Sequence, residues 1–172
     1  NGLFHGGNQI IWRTAGTASK YQQPRAGVAP LLMSQSTMGD LNMWQNETIW
    51  VTSVRATSAS SPSIPGIRTP GPNEYYASPS LDELWRSEPV NALADRCNGK
   101  MIGVMPDSLV NSPDSLMIVR GMSQQEAATA QSTMTLKTVF EIPSGSVSPY
   151  NGFLLIMLII GAFGLLFPVV KF

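Results

Sequence analysis

His5, Cys97 and the adjacent acids Asp82 and Glu83 are the residues whose types could do chemistry in this chain. A histidine can serve as a base or a metal ligand, a thiolate as a nucleophile, and a spaced pair of carboxylates as the acid and base of a glycosidase. Their settings support none of these roles. His5 is the single histidine and stands in a Gly-rich segment with no motif around it. Cys97 follows Arg96, which could lower a thiol pKa, but it reads as an inert thiol, and as the only cysteine it excludes an intrachain disulfide. Asp82 and Glu83 come just after Ser80 in the pattern of a helix cap. There is no G-x-S-x-G, no phosphate-binding loop and no H-E-x-x-H. The chain is therefore expected not to be an enzyme, with no catalytic, cofactor-binding or metal site and no cofactor.

Other polar features are similarly plain. Asn46-Glu47-Thr48 matches the N-glycosylation pattern, which matters only in a secretory lumen and reads here as a chance match. Arg13, Arg25, Arg55 and Arg68 are widely spaced and read as solvated or carboxylate-paired rather than as a binding stripe. Eleven basic and eleven acidic side chains cancel, and charged residues make up 13% of the chain, low for a freely diffusing enzyme. Such a surface suits a protein that faces other chains. No basic block exists, so nucleic acid is not directly indicated as a partner.

The elements that would position these residues are mostly strands. Gln9–Trp12 is a short apolar run between glycines. Lys20–Gly39, with Pro24 and Pro30, reads as an extended arm with one apolar spot at Leu31-Leu32-Met33. Glu47–Ala56 is the clearest early strand, and both of its alternating faces are partly apolar, which predicts a sandwiched position. Ala59–Pro79 carries five prolines and is expected to hold nothing regular. Ser80-Leu81-Asp82-Glu83 then predicts a capped short helix with Leu81, Leu84 and Trp85 on its apolar side.

Met101–Met105 and Leu116–Arg120 read as small strands, the second closed by Gly121. Ser123-Gln124-Gln125-Glu126 repeats the capping pattern ahead of Ala127, Ala128 and Ala130. Thr133–Ile142 is the firmest predicted strand, with Met134, Leu136, Thr138, Phe140 and Ile142 as its core face. Four or five strands with long irregular connections predict a mainly β fold, a jelly-roll-like β-sandwich or part of one, with short helices.

The end of the chain differs. From Phe153 to Val170 it runs FLLIMLIIGAFGLLFPVV, eighteen residues without a charge. As a helix this run would rise about 27 Å, close to the hydrocarbon thickness of a bilayer. The expected division is a β-rich unit over 1–150 and a hydrophobic helix over 151–172 that enters lipid or is sheltered by protein. A first residue Asn1 rather than Met, without a signal-peptide pattern, is expected of a processed or excised piece.

Low charge, Ser/Thr/Asn/Pro-rich loops and strands such as Glu47–Ala56 resemble the coat proteins of small non-enveloped icosahedral viruses. Ser80-Leu81-Asp82-Glu83-Leu84-Trp85-Arg86 is similar to the Ser-Leu-Arg-x-Leu-Leu-Lys-Arg segment of insect picorna-like coat proteins, with Asp82 in place of Arg and Trp85 in place of Leu. Val119-Arg120-Gly121 resembles their aromatic-Arg-Gly strand, at a shorter spacing. Asn151-Gly152-Phe153-Leu154 stands where noda- and tetravirus-like coat proteins release a membrane-active peptide.

The resemblance implies a capsid subunit or cleaved capsid segment in a virion. Other coat-protein chains or subunits of a large assembly would be its partners, and 151–172 would act on host membrane lipid. The alternative expectation is a single-span subunit of a membrane complex with a small β-rich domain, located in a membrane. A third is a secreted or surface adhesion module whose apolar tail is a processing signal.

Overall fold

The structure, a computed structural model, describes residues 9–37, 43–44, 47–87, 99–147, 157 and 159. In chain order the strands are β1 (Gln9–Ile10), β2 (Leu31–Thr37), β3 (Met43–Trp44), β4 (Glu47–Thr48), β5 (Trp50–Ala56), β6 (Glu74–Ala77), β7 (Lys100–Val104), β8 (Met117–Gly121), β9 (Lys137–Val139) and β10 (Ser146–Val147). Helix α1 (Pro79–Ser87) lies between β6 and β7, and α2 (Gln124–Ser132) between β8 and β9.

Six of these strands form one mixed sheet in the order β7-β6-β8-β5-β2-β9. The pairs β5/β8 and β6/β7 are parallel, and β2/β5, β2/β9 and β6/β8 are antiparallel. Register puts Leu31 and Met33 of β2, Val54 of β5, Met117 and Val119 of β8 and Val139 of β9 on one face, all at most 1% exposed. That face is covered by turns and loops rather than by strands: Trp12 and Ala15 from a 3-10 segment at Ile11–Gly16, then Ile64, Met105, Leu109 and Val110. The indole Nε1–H of Trp12 donates to the Leu109 carbonyl at 3.0 Å, so burying this ring leaves no orphaned donor.

The opposite face carries both helices. Leu81 of α1, fully buried, packs with Val51, Ile118, Tyr75 and Ala77, and Trp85 meets Tyr75 edge-on with ring centroids 5.6 Å apart. Further along this face Arg120 of β8 donates Nε to Ser53 Oγ at 3.0 Å and Nη2 to Glu126 Oε1 of α2 at 2.8 Å. Glu126 also closes the predicted capping box with Ser123, and the Ser123 amide foremost holds its carboxyl below the usual carboxylate range.

The jelly-roll-like sandwich is thus corrected. A sandwich requires a second sheet packed on the first, whereas this sheet meets helices on one side and turns on the other and does not close into a barrel or sandwich. The remaining ladders, β1/β10 and β3/β4, are two residues per strand.

The membrane reading is corrected as well. A span needs about 18–20 consecutive apolar helical residues, and among the described residues no helix is long and apolar enough to cross a membrane. The expected segment Phe153–Val170 lies outside the described residues except for Met157 and Ile159, which are helical and exposed. Neither a capsid subunit with a membrane-acting tail nor a single-span membrane subunit is carried forward.

Local expectations divide similarly. Glu47–Ala56 is a strand apart from Ile49, and four consecutive residues of β5, Val51–Val54, are buried, as a sandwiched strand requires. The spot at Leu31-Leu32-Met33 opens a full seven-residue strand rather than an arm. The proline-rich stretch does contain a strand, Glu74–Ala77. Helix α1 begins at Pro79, suited to a first helical turn, with the Asp82 amide bonded to the Ser78 carbonyl; Ser80 is inside the helix and its hydroxyl donates to the Pro113 carbonyl. Of Thr133–Ile142 only Lys137–Val139 is strand, and its buried residue is Val139, on the parity opposite to the predicted core face.

Candidate functional site

The segment Ile11–Gly16 is fastened to the sheet at three points. Trp12 is buried beneath it, the Gln35 amide Nε2 donates to the Arg13 carbonyl at 2.9 Å, and Gly16 lies so close to Met33 that a Cβ there would approach Sδ to 3.2 Å. With Trp12 turned inward, Arg13 is directed along the surface toward the first residue of β5. Its guanidinium carbon lies 5.0 Å from the centre of the Trp50 ring.

Trp50 is 42% exposed, because it begins the strand whose next four residues are buried. It pairs with Thr37 on β2 and Met117 on β8, and its amide donates to the Leu116 carbonyl at 2.9 Å. The backbone therefore fixes the indole at one corner of the sheet. Arg13 Nε is buried there without a hydrogen-bond partner, and desolvation lowers the guanidinium pKa from its ordinary value. Thr52, two residues along β5 and opposite Gln35, also has a buried hydroxyl without a partner. A planar fork of donors over an aromatic face suits a carboxylate or another planar oxyanion joined to an apolar group.

Two other concavities are less developed. A cleft of about 470 Å³ between α2 and the sheet is lined by Leu32, Arg55, Gln124, Gln131, Leu136 and Thr138 among others, and Arg55 Nη1 there donates to the Met122 carbonyl at 3.4 Å. A second, of about 340 Å³, lies against Trp12, Pro65, Asp107, Ser108, Pro143 and Ser144. Among the described residues no group of three His, Cys, Asp or Glu side chains could hold a metal ion.

The residues singled out from sequence do not converge. His5, Cys97 and Asn46 lie outside the described residues. Asp82 pairs with Arg86 one turn on at 2.8 Å, and Glu83 faces solvent. Arg25 pairs with Glu141, and Arg68 with Glu74 at 2.8 Å. The Arg13–Trp50 corner was missed. Its only sequence signals are an arginine directly after an apolar run and a tryptophan opening a strand, and nothing local shows that they meet across 37 residues.

The sheet itself ends in two unlike edges. At one, β9 has only three residues, two of them exposed and one of these Lys137. At the other, β7 has five residues, LysMetIleGlyVal, with Lys100 as its single charge and Val104 41% exposed.

No family model matches the chain, and no curated protein or solved structure matches it either. The likeness to viral coat proteins thus gains no relative and no structural neighbour, and the descriptors capsid and viral coat are not carried forward.

Proposed function

We propose that this chain is a non-catalytic structural subunit that associates with further copies of itself. The observation that carries this reading is the open edge at β7. A strand that ends a sheet presents unpaired backbone donors and acceptors and invites another chain unless it is short, charged, bulged or covered. The β9 edge is blunted by its length and by Lys137. Among the described residues β7 is bonded on one side, to β6, and its protection amounts to Lys100 and one register shift opposite, between Tyr75 and Tyr76. Low charge and the exposed apolar side chains Trp50 and Val104 add surface of the kind found in contacts between chains.

Sedimentation velocity of the full chain over a dilution series tests this reading. Concentration-dependent association with a Kd of about 10 μM or tighter is expected, and Val104→Pro, which removes an outward-facing edge donor beside the Met105 amide that bonds inward to the Ala77 carbonyl, should weaken it. A chain that stays monomeric up to ~200 μM, far above that Kd, would overturn the proposal.

A further inference from the structure

We infer that the Arg13–Trp50 corner is an anchor point of that association and receives a carboxylate from a second copy of this chain. The inference rests on the self-association proposed above and names a contact within it.

The comparison among arginines is the basis. Arg25, Arg68, Arg86 and Arg120 each meet a carboxylate, and Arg55 donates to a backbone carbonyl. Among the described residues the Arg13 side chain has neither a hydrogen bond nor an ion pair, only the indole beneath it. With Nε buried, this guanidinium has lost hydration at that nitrogen that no hydrogen bond among the described residues replaces. A carboxylate approaching the fork would replace it with two parallel charge-assisted bonds. The exposed part of the Trp50 ring beside it offers apolar area, and Arg and Trp are the residue types that dominate binding energy at interfaces.

Charge complementarity selects a second copy as the occupant. Basic and acidic side chains balance at eleven each. Glu83, Asp107 and Asp114 are exposed and, among the described residues, stand outside every ion pair. A copy therefore carries both the unpaired cation and candidate anions for its neighbour. Trp50 opens β5, three strands in from the β7 edge, so the contact engages a surface other than that edge.

The test compares the self-association Kd of the full chain with Arg13→Gln, Arg13→Lys and Trp50→Phe, with a thermal melt of each. Arg13→Gln should weaken association at least about thirtyfold, the size of an interface hot spot, with an unchanged melting temperature. Arg13→Lys, which keeps the charge and loses the fork, should fall between Arg13→Gln and the parent chain. If Arg13→Gln melts early, Arg13→Lys carries the comparison. Association within twofold of the parent for Arg13→Gln and Arg13→Lys overturns the anchor while leaving self-association standing. A parent chain that never associates removes both.

Discussion

Arg68 grips Glu74 with both ends of its guanidinium, Nη1 to Oε2 at 2.8 Å and Nη2 to Oε1 at 2.9 Å, while the Gly71 amide donates to the same Oε2 at 2.8 Å. The pair ties the proline-rich loop to the first residue of β6. Arg68 first, and then the Gly71 amide, bring the Glu74 pKa down from 4.5 to about 2. A carboxylate whose folded pKa is depressed stabilises the fold above its unfolded pKa, and that contribution is lost as pH falls toward the folded value. Melting temperatures of the parent chain and Glu74→Gln should therefore differ at about pH 5 and converge toward pH 2. Because Arg68 is largely exposed, the difference should also narrow in about 1 M salt. A gap of constant size from pH 5 to pH 2 would contradict this role for Glu74.

Ser78, completely buried, connects β6, α1 and β8 through three bonds. Its Oγ accepts from the Met117 amide at 3.0 Å, its own amide donates to the Met117 carbonyl at 2.9 Å, and its carbonyl accepts from the Asp82 amide at 3.0 Å. Ser78→Ala would remove only the first and leave the Met117 N–H unpaired beside a fully buried side chain. The expected loss is about 1–3 kcal/mol in a urea titration. A change below about 0.5 kcal/mol, the ordinary range for surface substitutions, would show that the hydroxyl is not the acceptor on which Met117 depends.

Gly121 is required by space rather than by backbone conformation. A Cβ there would stand 2.0 Å from the Gly71 oxygen and 2.5 Å from the Pro70 oxygen, where the loop runs against the end of β8. Both obstacles are backbone and cannot swing aside as a side chain would. Gly121→Ala should cost about 3 kcal/mol or more, at or beyond the top of the overpacking range. Retention of the parent stability within about 1 kcal/mol would mean that the loop is not seated there.

Legibility in the sequence followed the range of the signal. Ser123 and Glu126 lie three residues apart, so the capping box of α2 could be read directly, and the alternating apolar faces of β5 announced a strand buried on both sides. Prolines misled at Glu74–Ala77, because a strand of four residues fits between Pro72 and Pro79 and needs only its own amides. The sandwich failed because strand content does not say what covers a sheet; here Trp12, Leu109 and Val110 from irregular segments do so. Arg13 and Trp50 could not be paired in advance, since the register of a turn on a sheet is set by distant contacts such as Gln35 with the Arg13 carbonyl.

Met134 is the sharpest disagreement between pattern and structure, and it yields a prediction of opposite sign. Even spacing with Leu136 and Phe140 placed it in a core strand, yet it is 86% exposed with φ at +58°. It follows the C-cap residue Thr133 of α2. The Thr135 amide donates to the Ala130 carbonyl at 3.1 Å and the Met134 amide to the Gln131 carbonyl at 3.2 Å, the paired bonds of a Schellman end. That position is left-handed and costs an L side chain about 1–2 kcal/mol, which glycine avoids while losing some backbone entropy. Met134→Gly should raise stability by about 0.5–1 kcal/mol, and the β-branched Met134→Val should lower it. Removal of a buried methionine costs about 2–5 kcal/mol, as expected for Met117→Ala at 0% exposure. Thermal melts of the three variants therefore decide between a helix end and a core strand: a loss of more than about 2 kcal/mol for Met134→Gly would return this residue to the core.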